Sequence, residues 1–325
     1  MSRDWLLMFC LLAGAAFGAE AGAPIAIGQE QALTAPGPQG PLGGLFLSAG
    51  KNAPVVLLVP GSGPTDRDGN SALGFHPATL RLIAEGLAVH GISSLRIDKR
   101  GLFSSARAIP DANAVTISDY VSDVQTWMTV IHDRTGVTCI WLAGHSEGGL
   151  IALAAARMAH PLCGLILLST PGRRIDTILH DQIAANPANV LLMSRIEGIL
   201  AAIRQGRPVD DRTLPSALKS LFRSQVQNFL IDEDRYDPAV LLAAYRGPVL
   251  ILQGGLDRQV SPTDDFFRLR NAAPGGSAIL LPAATHVLKD ATDKSREAGW
   301  KTYLQSGLPL DPGVVTNIAE FVLAH

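Results

Sequence analysis

Gly144-His145-Ser146-Glu147-Gly148 decides the fold. An apolar run, Cys139-Ile140-Trp141-Leu142-Ala143, leads into it, and a small-residue stretch from Gly149 to Met158 follows. The order strand, sharp turn, helix gives the G-x-S-x-G pattern its meaning. Such a turn holds the serine in a strained conformation above the sheet. Glycines flank it because a Cβ there would strike the neighbouring strand or helix. The serine oxygen is exposed, and the helix that follows aims its free amides at it.

Working outward, apolar runs alternate with helical patterns. Leu45-Phe46-Leu47 reads as an early hairpin strand after a turn-rich connection over residues 35–44, and Val55 to Val59 as a strand buried on both faces. His76 to His90 carries Leu80, Ile83, Ala84 and Leu87 at helical spacing, and Gly91 closes it. Ile92 to Ile97 is a strand, Ile117 to His132 a helix, and Leu165 to Leu168 a strand beyond the serine turn. The alternation breaks after Pro171-Gly172 and resumes at Pro248-Val249-Leu250-Ile251-Leu252. Between them, Leu192, Ile196, Ile199, Leu200 and Ile203 make one stripe, and Leu218, Leu221, Phe222, Val226 and Phe229 suggest a second helix. Residues 173–246 therefore read as a helical cap inserted into a core of 24–172 and 247–325. Its place is the carboxyl ends of the strands, where open α/β sheets bind ligands. The expected class is α/β, a mostly parallel central sheet with helices on both faces.

The 325 residues carry a formal charge of −2, which implies no basic surface for nucleic acid. Residues 1–23 read as an export signal: Arg3, an apolar core from Trp5 to Phe17, then Gly18, Ala19, Ala21 and Ala23 at a cleavage region. That core is short for a membrane span, and no other stretch could cross a bilayer. The expectation is an exported protein, periplasmic or secreted, with no stable membrane insertion. Cys139 and Cys163 each open an apolar run in strands expected to be neighbours. An oxidising compartment would permit a bridge, but they read as two buried thiols acting as small hydrophobes. No C-x-x-C or metal-ligand spacing is present, and neither a metal nor an organic cofactor is expected.

A serine hydroxyl needs a base within hydrogen-bond reach, and the base needs an acidic partner to fix its tautomer. On such sheets the chain order is Ser, then Asp or Glu, then His. Asp257 follows the strand Leu250-Ile251-Leu252-Gln253-Gly254-Gly255, and His286 lies just beyond Leu280-Leu281-Pro282. Both fall past strand carboxyl ends, on the edge that carries Ser146. Asp264 and Asp265 lie further from the strand end, where a helix begins. His145 is inside the turn, His76, His90, His132, His160 and His180 accompany helices, and His325 is terminal. The candidate set is Ser146, Asp257 and His286.

Donors for a developing oxyanion are also required. The Glu147 N–H at the start of the helix is one. The loop Pro60 to Asn70 supplies the other, assigned to the Ser62 N–H with Gly63 as the alternative. Asp66, Arg67 and Asp68 in that loop, and Arg96, Asp98, Lys99 and Arg100 after the next strand, read as charges that pair to order loops. The Glu147 side chain is expected to leave the turn towards bulk solvent or cap.

Gly61-Ser62-Gly63-Pro64-Thr65-Asp66-Arg67-Asp68-Gly69-Asn70, Gly144 to Gly149, Asp237-Pro238, and Pro248 through Val260 carry a resemblance. Over about residues 30–325 the chain resembles the α/β-hydrolase superfamily, and more narrowly a bacterial group of dienelactone-hydrolase-like serine esterases. The resemblance implies hydrolysis of a small-molecule carboxylic ester through an acyl-enzyme, beneath a helical cap. Two departures stand out. Pro60-Gly61 replaces the usual His-Gly before the oxyanion donor, and the nucleophile is serine where true dienelactone hydrolases use cysteine. A peptidase, thioesterase or acyltransferase on the same fold, or a non-catalytic binding protein, is the alternative.

Overall fold

The structure, a computed structural model, describes residues 28–157 and 161–325. The export-signal reading of residues 1–23 and the position of His160 lie outside the described residues. Eight strands form one sheet in the order β1-β2-β4-β3-β5-β6-β7-β8. They are β1 (Glu30–Ala35), β2 (Leu42–Leu47), β3 (Val55–Val59), β4 (Ser93–Ile97), β5 (Ile140–His145), β6 (Leu162–Leu168), β7 (Val249–Gly254) and β8 (Ser277–Leu281). β1 and β2 form an antiparallel hairpin that joins β4 antiparallel, and every pairing from β4 to β8 is parallel.

The parallel strands are apolar throughout because both faces are covered. On β3, Val55, Leu57 and Val59 enter one core, and Val56 and Leu58 enter the other. The first core packs against α2 (Ile117–Thr135) and α3 (Glu147–Ala155) through Val124, Trp127, Met128 and Ile151. The second packs against α1 (Thr79–Val89) and the C-terminal helix through Ile83, Leu87, Ile318 and Val322. Thr116 caps α2 in a reciprocal box with Asp119, which satisfies two otherwise free N–H groups.

The insertion between β6 and β7 holds α4 (Ile175–Ala184), α5 (Met193–Arg204), α6 (Lys219–Phe222), α7 (Ser224–Glu233) and α8 (Pro238–Ala244). It has its own apolar cluster, built from Leu179, Ile183, Ile196, Ile199, Leu200, Ile203 and Phe222. The single helix expected over 218–229 is two. Arg223 is extended at ψ 152°, and the Gln227 side chain takes the Phe222 carbonyl at 2.6 Å that a continuing helix would use. Asp237 caps α8 through the Ala239 and Val240 N–H groups, with Pro238 in the first helical position where no N–H is needed.

The insertion is pinned to the core at both ends. Gly172 N–H and the Arg173 guanidinium bind the buried Asp265. At the end of α7, Asp232 accepts from Ile117 N–H at 2.9 Å, Glu233 is buried, and Asp234 binds Arg174 and the Asp176 N–H. After β7 come α9 (Phe267–Ala272), α10 (Arg296–Leu304) and α11 (Pro312–Ala324). Among the described residues no helix is long and apolar enough to cross a membrane.

Cys139 and Cys163 form a disulfide, with Cα atoms 5.1 Å apart. This corrects the expectation of two buried thiols. Both residues are only partly buried, and they meet where β5 and β6 begin side by side. The bridge therefore fastens the end of the sheet opposite the serine turn.

Candidate active site

Ser146 sits between β5 and α3 with φ 55° and ψ −122°. A non-glycine residue at positive φ is costly, by roughly 1–3 kcal/mol, and is held only by its surroundings. Those surroundings are specific. A Cβ on Gly144 would overlap the Gly148 carbonyl, one on Gly148 the Val59 carbonyl, and one on Gly149 the Thr170 side chain. Ser146 N–H donates to Leu168 O at 2.9 Å, which ties the turn to the end of β6. The residue is half-buried.

Asp257 and His286 come together. His286 Nδ1 lies 2.8 Å from Asp257 Oδ2, with the aspartate side chain fully buried and the histidine ring nearly so. The carboxylate is saturated. Oδ1 accepts from Gln259 N–H at 2.7 Å and Val260 N–H at 2.9 Å, and Oδ2 accepts from Gln253 Nε2 at 2.8 Å. Each of these partners is a donor, so the carboxylate serves here as an acceptor. The His286 proton is then on Nδ1, and Nε2 is left with its lone pair. Gly254 and Gly255 make the approach feasible. A Cβ on Gly254 would overlap the Ala284 and Thr285 carbonyls, and one on Gly255 would stand 2.8 Å from Pro282 O. Asp264 and Asp265 lie in the turn Pro262–Phe266 and serve structure, as expected.

The loop after β3 lies against the serine turn. The Cβ position of Gly61 is 3.3 Å from Ser146 Cβ and 3.4 Å from His145 Nδ1. Gly63 turns the chain at φ 68°, and Thr65 Oγ1 holds the Ser62 carbonyl at 2.8 Å. Neither the Ser62 nor the Glu147 N–H has a hydrogen-bond partner among the described residues. The loop charges pair as read, though across elements: Arg67 binds Asp98 at 3.3 Å, Arg96 binds Asp68 and Glu30, and Arg100 binds Asp119 and Asp123. Asp66 holds the Asp68 and Asn70 N–H groups at 2.9 and 2.8 Å.

Two side chains differ from expectation or escape it. Glu147 does not point to bulk solvent: it is buried, and its Oε1 is 2.7 Å from Lys99 Nζ. Every residue of α3 is buried, so the helix has no solvent face for Glu147 to reach. His145, placed inside the turn and set aside in the sequence, donates from Nε2 to the His286 carbonyl at 2.9 Å. Burial first, then the nearby His286, push its pKa down to about 4. Gln253, which donates to Asp257 Oδ2, is the penultimate residue of β7, and nothing in that apolar run marks its side chain as a partner of the site.

The family model described as serine aminopeptidase, S33, a hydrolase family, matches residues 73–234. The chain belongs to the α/β-hydrolase superfamily. Est1E from Butyrivibrio proteoclasticus matches with a TM-score of 0.58 at 16% identity, over 90% of this chain and 99% of that one. The Pyrococcus furiosus esterase Pf2001 matches with a TM-score of 0.55 at 15% identity, over 93% and 99%. Rv0554 from Mycobacterium tuberculosis gives 0.55 at 14%, over 90% and 99%. No curated protein matches the chain. At these identities the structural matches speak for the fold. As an α/β hydrolase the chain has its strand–turn–helix at β5, and the matched segment includes that turn and most of the helical insertion.

Proposed function

We propose that this α/β hydrolase cleaves small-molecule carboxylic esters through an acyl-enzyme on Ser146. The observation that carries the reading is the 2.8 Å bond from His286 Nδ1 to a saturated, buried Asp257, on the sheet edge where Ser146 is held at φ 55°. Ser146 Oγ attacks the ester carbonyl carbon and gives its proton to His286 Nε2. The tetrahedral oxyanion is met by the Ser62 and Glu147 N–H groups, with Gly63 as the alternative donor. Collapse expels the alcohol, which takes the proton from His286. Water then attacks the acyl carbon, passes a proton to His286, and the acid leaves as Ser146 regains its proton. No hydrogen bond of the Ser146 hydroxyl is present among the described residues. Such contacts commonly tighten only when substrate binds.

The matched family description favours a second reading, an aminopeptidase. The two separate on a panel of nitrophenyl esters of graded acyl length, acyl thioesters and aminoacyl nitroanilides. The ester reading expects turnover of short or medium esters and little of the anilides. Dominant anilide turnover would replace it.

The helical insertion serves as the cap that selects the acyl or alcohol group. Export is part of the same reading: the apolar leader of residues 1–23 and the Cys139–Cys163 bridge both suit an oxidising compartment. Fractionation of cells expressing the full chain, followed by N-terminal sequencing, tests it.

A further inference from the structure

We infer that His145 is a positioning residue for His286, tying the strand that ends in the nucleophile to the loop that carries the base. The inference rests on the catalytic reading above and adds to it a residue with no part in proton transfer.

His145 is the last residue of β5 and immediately precedes Ser146. Its ring is buried between two elements. On one side the Gly61 Cβ position is 3.4 Å from Nδ1, and on the other the His286 ring centroid is 4.8 Å away at an interplanar angle of 55°. The Nε2 contact is with a carbonyl oxygen, which can only accept, so Nε2 carries the proton. The bond joins residues 141 apart in sequence.

The loop after β8 is tied to the fold at several points, Leu256 N–H to Ala284 O and Asp311 N–H to Leu288 O among them, and the His145 bond is the tie at the base itself. The loop backbone turns at Leu288, which has φ 57°, and successive carbonyls face different partners. His286 O faces His145, and Val287 O accepts from Thr79 Oγ1 of α1 at 3.1 Å. With the Asp257 bond at Nδ1, the base is held at its ring by the loop after β7 and at its backbone by β5. A shift of β5 therefore carries Ser146 and the His286 backbone together. The depressed pKa of His145 keeps it uncharged at neutral pH, so it adds no second positive charge when His286 takes a proton.

The test compares His145→Gln, which keeps a donor at similar reach, His145→Phe, which keeps the ring without a donor, and His145→Asn, whose amide falls short. Two readouts are taken: kcat and KM on a nitrophenyl ester, and the downfield proton resonance of the Asp257–His286 bond. The expectation is a kcat lower by roughly 10- to 100-fold in the Phe and Asn variants, with KM little changed. The resonance broadens or shifts in both, and Gln restores both readouts. Wild-type kcat and an unmoved resonance in a folded Phe or Asn variant overturn the inference. So does a Gln variant as impaired as the others. The resonance reports on the aspartate–histidine pair even if wild-type protein turns over no ester, so failure of the catalytic reading is distinguishable.

Discussion

Lys99 Nζ and Glu147 Oε1 form an ion pair at 2.7 Å with both side chains buried, at the residue that follows the proposed nucleophile. Lys99 follows β4 and also lies 5.2 Å from the Tyr120 ring centroid on α2. The pair therefore joins β4, α2 and the first residue of α3. Burial is the largest influence and lowers the lysine pKa, but Glu147, Tyr120 and Glu233 together outweigh it and the net direction is upward.

Removing one partner leaves the other charge buried and unpaired. Glu147→Ala should cost roughly 3–5 kcal/mol of stability by urea unfolding at neutral pH. Because the folded-state lysine pKa is raised, the pair's contribution is complete below the unfolded lysine value of 10.5 and is lost as pH rises through the folded one. The difference between wild type and Glu147→Ala should shrink in strong alkali. Equal stabilities at neutral pH would show that the pair contributes nothing.

Glu233 points the other way. Burial, then the Glu147 charge, push its pKa well above that of an ordinary carboxyl. Its stabilising contribution is present below the unfolded glutamate pKa and is lost as pH rises through the folded one. Glu233→Gln should therefore raise Tm relative to wild type at alkaline pH, where the buried carboxyl would otherwise have to ionise. It should change little in acid. A lower Tm at pH 8 would mean that the charge is needed where it stands.

His145 should make the fold acid-sensitive. Its folded pKa, down to about 4, lies below the unfolded histidine value of 6.5. The associated stability is complete above that unfolded value and is lost as pH falls towards the folded one. The difference corresponds to on the order of 3 kcal/mol. His145→Gln should flatten the stability profile between about pH 6.5 and 4. An unchanged acid limb would refute a buried neutral ring.

Reduction of the Cys139–Cys163 bridge should destabilise without abolishing activity, because it lies at the far end of β5 and β6 from Ser146. Closing a loop of sequence separation 24 is worth about 3.5 kcal/mol in the chain-entropy account. Cys139→Ala/Cys163→Ala should show that loss by denaturant titration. Equal loss of activity and stability in dilute buffer would tie the bridge to the site itself.

The sheet was legible because strands buried on both faces read as unbroken apolar runs, and Val55 to Val59 shows why: its side chains alternate between two cores. Ser146 was legible from the glycines its turn demands, and Asp257 and His286 from their places after β7 and β8. What sequence could not give depends on direction and distance across the chain. The α3 helix is buried all round, so no amphipathic stripe indicated where Glu147 points. The His145–His286 bond spans 141 residues, and the Gln253 bond depends on how the loop after β7 folds back. The disulfide depends on a Cα separation that neighbouring strands permit but do not dictate.

The catalytic assignment meets its most direct test in covalent labelling of the full-length protein with a fluorophosphonate at neutral pH, the modified residue being located by peptide mass spectrometry. One adduct per chain is expected, on Ser146, with labelling slowed at least 100-fold in His286→Ala and absent in Ser146→Ala. Folded protein that takes up no label, or takes it up on another residue, would contradict the assignment.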